Sequence, residues 1–406
     1  SNELGMRVMQ ERAYEKRGEQ YLLIKSPPAS GKSRALMFIA LDKLHNQGVK
    51  KVIVAVPERS IGGSFKSAQL TKFGFFTDWE VEDCHNLCTP GGDGNKSKVA
   101  ALKTFIKGSG RVLVCTHATL RFASAELKDT DFNDVLLAID EFHHVSADEG
   151  NVLGEALRSI MANSSAHIVA MTGSYFRGDS TPILLPDDEA KMAKVKFDYY
   201  EQLNGYEYLK SLGIGYHFYQ GRYTDSIGQV LDTNKKTIVH IPNVNTGEST
   251  KDKYDEVDSI IDTIGVFQAK DPNTGVITIK RHNDGRLIKL ADLIDEKDRE
   301  KIVSYLQNIS KLEEMDVIIA LGMAKEGFDW AYCEHALTVG YRGSLTEIIQ
   351  IIGRCTRDSD NKSHAQFTNL IAQPEADDDQ VKLAVNNMLK AITCSLLMEQ
   401  VLAPNF

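Results

Sequence analysis

Long apolar runs are missing from this chain. No uninterrupted apolar stretch approaches the roughly 18–20 residues needed to cross a bilayer. The opening Ser1-Asn2-Glu3-Leu4-Gly5-Met6-Arg7 lacks the charged-then-apolar form of a secretory signal. A cytoplasmic protein without a membrane partner is the expectation. Excess positive charge is missing too: 47 Lys and Arg against 56 Asp and Glu leave −9. The summed field mildly repels phosphate, so nucleic acid would have to be gripped by a local groove rather than by charge alone. Paired cysteines are the third absence. The six cysteines are scattered, and Cys115, Cys333 and Cys355 sit in or beside apolar runs, as reduced core cysteines do. Cys84 and Cys88 lie either side of His85, yet no second ligand pair at a zinc spacing accompanies them, so a loop or core role is expected and no metal.

What is present is an alternation. With 406 residues the length fits two to three domains. Val52 to Val56, Val112 to Cys115, Val135 to Ile139 and His167 to Met171 are short, β-branched and bounded by polar or turn residues. Lys96 to Ile106 and Val152 to Met161 have helical spacing between them. Strands separated by crossover helices predict a parallel sheet built from βαβ units. A second series repeats the design: strands at Thr237 to Ile241, Val276 to Ile279, Val317 to Ala320 and Ala336 to Val339, helices at Tyr254 to Ile264, Glu296 to Asn308 and Leu345 to Ile352. Two tandem α/β units follow, 1–195 and 196–406. The boundary is placed where Pro182, Pro186 and Asp187-Asp188-Glu189 interrupt regular patterns. Thr89 to Asn95 reads as a flexible loop and Gln380 to Val401 as a closing helix.

Chemistry concentrates at two strand ends. Ser26-Pro27-Pro28-Ala29-Ser30-Gly31-Lys32-Ser33 follows the strand-like Tyr21 to Ile24 and precedes the helical Ala35 to Leu41. Small residues let backbone N–H groups approach a phosphate, a lysine meets its terminal oxygens, a hydroxyl serves magnesium, and the helix start adds a positive dipole end. Ser26 stands where the general pattern has its first glycine. Asp140-Glu141, at the end of Val135-Leu136-Leu137-Ala138-Ile139, is the second: one carboxylate for magnesium, often through water, and one to polarise the attacking water. A carboxylate pair capping a helix start does not explain the five apolar residues before it. Arg354 and Arg357 lie three apart on one predicted helix face. A permanently charged guanidinium there suits the negative charge of a migrating phosphoryl group.

These motifs, in this order, resemble a superfamily 2 helicase or translocase of the DExH type, in particular the ATPase subunits of type I and type III restriction enzymes. Gln10 matches the glutamine that reads adenine in relatives. Val54-Ala55-Val56-Pro57 resembles motif Ia, and Cys115-Thr116-His117-Ala118-Thr119-Leu120 resembles the segment that touches a nucleic-acid backbone. Met171-Thr172-Gly173-Ser174 stands at the coupling motif, and Ile238 to Asn243 resembles motif IV. Gly322 to Asp329 resembles motif V, and Gln350-Ile351-Ile352-Gly353-Arg354-Cys355-Thr356-Arg357 resembles motif VI. The resemblance implies two RecA-like domains with mostly parallel sheets, ATP bound between them, and movement along DNA. It assigns ATP contacts to Gln10, Ser30, Gly31, Lys32, Ser33, Gly327, Asp329 and Gln350, magnesium to Ser33 and Asp140, and catalysis to Lys32, Asp140, Glu141, Arg354 and Arg357.

Other features point two ways. Leu321 occupies the position where relatives carry a threonine that contacts the strand. The tyrosines from Tyr199 to Tyr223 suit base stacking or core packing. Lys280-Arg281-His282 and Arg286 to Lys289 suit a phosphate groove or a solvated face. No nuclease signature is present, so a nuclease or methyltransferase would belong to another domain or subunit. An RNA-dependent DExH ATPase and a nucleotide-gated binding module without unwinding are the alternative readings.

Overall fold

The computed structural model describes residues 1–27, 30–89, 95–142, 152–173, 190–247, 249–321, 328, 330–340 and 345–373. Internal contacts divide the chain into two compact units, Ser1–Tyr199 and Tyr200–Phe406.

In the first unit the strands are β1 (Tyr21–Lys25), β2 (Lys51–Val56), β3 (Val112–Thr116), β4 (Val135–Ile139), β5 (His167–Thr172) and β6 (Ala193–Lys196). They form one sheet in the order β3-β2-β4-β5-β1-β6, every pair parallel. Parallel strands need crossovers, and these are α2 (Lys32–Asn46), α3 (Asn95–Lys107), α4 (His117–Glu126) and α5 (Val152–Asn163), with α1 (Val8–Glu15) leading in. Both faces are covered, so the strands read as continuous apolar runs rather than alternating ones. Along β2, Val52, Val54 and Val56 pack into the core shared with α1 and α2, while Ile53 and Ala55 join the opposite core. Each such valine or isoleucine removed from water contributes about 1.5–3 kcal/mol. The same burial at Leu136, Leu137, Ala138 and Ile139 holds β4 from both sides, so the residue after it is delivered to a fixed place.

The second unit has eight strands in the order β7-β14-β13-β8-β12-β11-β10-β9. These are β7 (Ser211–Tyr219), β8 (Thr237–Ile241), β9 (Gly265–Lys270), β10 (Ile277–Arg281), β11 (Leu287–Asp292), β12 (Val317–Leu321), β13 (His335–Val339) and β14 (His364–Ala372). From β7 to β11 the pairs are parallel, whereas β11-β10-β9 is an antiparallel extension. Its main helices are α6 (Lys253–Ile264), α7 (Arg299–Gln307) and α8 (Leu345–Cys355).

The expected strands and helices appear with ends moved by a few residues. β6, β7, β9, β11 and β14 were not anticipated. β6 lies in the stretch where prolines and acidic residues had suggested no regular structure, and it pairs with β1 as the sheet's edge. The expected closing helix at Gln380 to Val401 lies outside the described residues. Among the described residues no helix is long and apolar enough to cross a membrane.

Candidate functional site

A parallel sheet gathers chemistry at the carboxyl ends of its strands, and three of those ends meet here. The loop leaving β1 turns into α2 at Gly31, which takes a left-handed φ of +92°. A Cβ on Gly31 would lie 2.4 Å from the Gln10 amide nitrogen and displace it, and the left-handed φ itself disfavours any side chain here. No side chain caps α2 at this glycine, which leaves its first N–H groups to an anion. Ser26, at the usual glycine position, shares a 2.8 Å hydrogen bond with the Ser30 hydroxyl and so ties the loop across itself. The buried Lys32 ammonium donates to the carbonyls of Ser26 (3.0 Å) and Pro27 (3.1 Å). The buried Gln10 side chain accepts from the Arg7 N–H (2.8 Å) and donates to the Gly31 carbonyl (3.1 Å), linking the start of α1 to the loop.

β4 delivers the carboxylates. Asp140 is buried, and its N–H continues the sheet to the Ala55 carbonyl at 2.9 Å. Glu141 follows with a φ of +47°, a conformation that costs a residue with a side chain about 1–2 kcal/mol. Its N–H donates to Asp140 Oδ1 (3.0 Å), and its carboxylate accepts a long 3.4 Å contact from the Gly173 N–H at the end of β5. A Cβ on Gly173 would stand 3.5 Å from Lys32 Nζ and 3.6 Å from both Glu141 carboxylate oxygens. Lys32 and Glu141 therefore border the same small space. Burial, and then the neighbouring Glu141 charge, push the Asp140 carboxyl above the usual range against the pull of Lys32. Two crowded carboxylates, one held toward its neutral form, are a donor set that a divalent cation relieves.

Next to them, the Thr116 hydroxyl caps α4 by accepting from the Thr119 N–H at 3.2 Å. His117 Nε2 donates to the Asp140 carbonyl at 2.9 Å. His117 was not singled out from the sequence. It appeared there only as one member of the Cys115 to Leu120 segment, directly after the apolar β3 and one residue past the cap.

The second unit is described on its own. Arg354, near the end of α8, donates from Nη1 to the Phe328 carbonyl (2.8 Å), with its guanidinium 5.2 Å from the Phe328 ring centre. Gln350 and Arg357 are partly exposed. Buried Lys362 donates to the carbonyls of Ala331 (2.8 Å), Cys355 (3.0 Å) and Cys333, and so holds the last turn of α8. The Asp358 carboxylate accepts from the N–H groups of Glu207, Tyr208 and Leu209. Gly327 and Asp329, like Pro28, Ala29, His143, His144, Ser174 and the rest of Gly322 to Gly327, lie outside the described residues.

Residues 7–178 match the DEAD/DEAH box helicase family. YeeB of Bacillus subtilis (strain 168), provisionally named an ATP-dependent helicase, is 67% identical over 407 residues, spanning 100% of this chain and 67% of that protein. The chain belongs to the DEAD/DEAH box helicases. It is thus a superfamily 2 enzyme, a nucleic-acid-dependent ATPase of the helicase class. Solved helicases share the fold. The DUF1998 helicase MrfA bound to DNA is 14% identical with a TM-score of 0.60, covering 95% of this chain and 48% of MrfA. The ATP-dependent type ISP restriction-modification enzyme LlaBIII bound to DNA is 12% identical with a TM-score of 0.62, covering 96% and 30%. S. cerevisiae Dbp5 bound to RNA and ADP BeF3 is 12% identical with a TM-score of 0.54, covering 97% of each chain. This chain spans about half of MrfA and under a third of LlaBIII. The two α/β units are the tandem RecA-like domains of this helicase class.

In this helicase several features left open by the sequence have structural partners. Tyr219 and Tyr223 are buried, and Tyr216 packs against the second unit's core, so packing accounts for them; Tyr208 is exposed. Arg281 bonds to Asp284, Thr233 and Asn234, and Arg286 to Asp316, which also takes Lys236. Arg281 serves an ion pair within the antiparallel extension, and Arg286 ties the turn between β10 and β11 to the start of β12. Cys115, Cys333 and Cys355 are buried free thiols. Cys88 is buried against Gly62, while Cys84 and His85 instead neighbour Glu82, their ligand atoms within 4.8 Å.

Proposed function

We propose that this helicase is a DNA-stimulated motor, coupling ATP hydrolysis to movement along DNA. The observation that carries the reading is the meeting of Lys32, Asp140, Glu141 and the Gly173 N–H at three neighbouring strand ends. In this reading Lys32 exchanges its loop carbonyls for the terminal phosphates, with Ser30, Gly31 and the open start of α2 holding the others. Gln10 meets the adenine. Ser33 and Asp140 are the residues that would hold magnesium, which when bound neutralises phosphate charge. Glu141 accepts the proton of the attacking water. Arg354 and Arg357 stabilise charge on the transferred phosphoryl group, Gln350 supports them, and Gly327 and Asp329 contact ATP.

Preference for DNA is supported by the DNA-bound MrfA and LlaBIII, whose TM-scores exceed that of RNA-bound Dbp5. Thr116 and Thr119, with the α4 N–H groups, suit a strand backbone. We assign the motor to a restriction or defence system whose nuclease or methyltransferase lies outside this chain. Dbp5 supports the competing RNA-dependent reading. ATP turnover measured with single-stranded DNA, duplex DNA and RNA separates the two; a response to RNA alone sinks the DNA assignment.

A further inference from the structure

Glu141 occupies a backbone conformation that a residue with a Cβ avoids, with φ at +47°. Such strain, worth about 1–3 kcal/mol, persists only where the surroundings over-determine it. The φ of Glu141 is set by the orientation of the peptide joining it to Asp140, so whatever holds that peptide aims the Glu141 carboxylate. One hold is local: the Glu141 N–H donates to Asp140 Oδ1 at 3.0 Å. The other comes from a different element. His117 Nε2 reaches the Asp140 carbonyl oxygen at 2.9 Å. A carbonyl only accepts, so the ring must carry its proton on Nε2.

The origin of this second hold is informative. β3 and β4 are not neighbours; β2 lies between them. His117 bridges the carboxyl end of β2 from the first turn of α4, where it is buried. That turn is fixed by the Thr116 cap and the 3.0 Å contact between the Thr116 and Thr119 hydroxyls. The His117 hydrogen bond therefore ties the α4 start to the peptide that aims Glu141.

We propose that His117 is a positioning residue that locks the Asp140–Glu141 peptide and couples the start of α4 to hydrolysis. The coupling rests on the reading above, in which the Thr116 to Thr119 segment meets nucleic acid and Glu141 activates water. His117 touches neither ATP nor strand in this account. Losing it lets the peptide relax, and misplacing a catalytic group by about 1 Å costs on the order of 10²-fold in rate.

The test compares His117→Ala, His117→Gln and wild type in the whole chain, measuring kcat and KM for ATP with and without saturating DNA, DNA affinity by anisotropy, and the melting temperature. The alanine variant is expected to lose 10- to 100-fold in DNA-saturated kcat, with KM and DNA affinity within about threefold of wild type. Glutamine can donate from its side-chain nitrogen to the same carbonyl, and it should recover at least a third of the lost rate. A kcat unchanged in alanine overturns the proposal. So does a loss of DNA affinity matching the loss of rate, which makes His117 part of the grip, or a glutamine variant no better than alanine at equal melting temperature. Glu141→Gln runs alongside: wild-type turnover in that variant, or no response of wild type to any nucleic acid, condemns the functional reading rather than the His117 bond.

Discussion

At the strand ends of the first unit, groups are held in costly states: Asp140 is buried beside a like charge, and Glu141 carries a positive φ. The second unit treats its charges differently. Lys362 meets three carbonyls, Arg354 meets the Phe328 carbonyl and ring, and Lys236 and Arg286 share Asp316. At these positions the first unit crowds two carboxylates that a cation would relieve, while the second meets its cations with carbonyls and carboxylates and so fixes the end of α8. Function in the first unit is therefore expected to trade against stability, and in the second to depend on it.

The largest effects test the first unit. Lys32→Ala and Glu141→Gln should each lower turnover by about 10²–10⁴-fold, the range for losing a positioned proton acceptor or phosphate partner. They should differ in binding: the lysine variant loses ATP affinity, whereas the glutamine variant holds ATP unhydrolysed. Single-turnover hydrolysis with a fluorescent-nucleotide titration distinguishes them, and wild-type turnover in Glu141→Gln would falsify its assigned role.

Next comes the contrast within the second unit. Arg357→Ala should reduce kcat by about 10²-fold with little change in ATP affinity or melting temperature, because its contact strengthens as charge develops. Arg354→Ala should slow turnover and also destabilise the unit by about 1–3 kcal/mol, having lost a charged hydrogen bond to Phe328. Equal melting temperatures for the two variants would erase the distinction.

Asp140→Asn sharpens the trade-off. A folded-state carboxyl raised above its ordinary value keeps a proton that the unfolded chain releases. Stability therefore falls as pH rises from the usual aspartate range through the raised one. At neutral pH the asparagine variant, free of nucleotide, should melt about 2–4 °C higher, as ~1 kcal/mol does in domains of this size. It should also lose magnesium-dependent turnover. A lower melting temperature contradicts the account of two crowded carboxylates.

The smallest effect is away from the site. Burial, then the Lys43 charge, hold His167 down to about 4 from 6.5, and its Nδ1 accepts from Lys43 at 2.9 Å. Between those values the unfolded chain binds a proton that the folded one refuses, so stability is lost as pH falls through this window. His167→Gln should flatten the fall in melting temperature there; an unchanged slope assigns the acid loss elsewhere.

Much of this was legible in the sequence, and the failures have physical causes. β4 was read to the residue because five apolar positions ending in two acids fit only a strand covered on both faces. Lys32 and Asp140 were singled out because phosphate and metal chemistry needs those residue types at strand ends, and strand ends are where the structure places them. β6 was missed because an edge strand of four residues, Ala193–Lys196, with one buried side chain among them, carries almost no periodic signal. The basic residues around β10 and β11 left a phosphate groove and a solvated face both open, because a carboxylate they pair with, Asp316, lies far away in sequence. His117 was overlooked because its partner is a backbone carbonyl, which no residue pattern encodes.

The central claim is that ATP is hydrolysed in response to DNA. Steady-state ATP turnover of the purified chain should rise on adding DNA, and salt should suppress that rise more steeply than basal turnover, because local ionic contacts on an acidic protein release counterions. An identical rate with and without DNA, alongside a strong response to RNA, would contradict it.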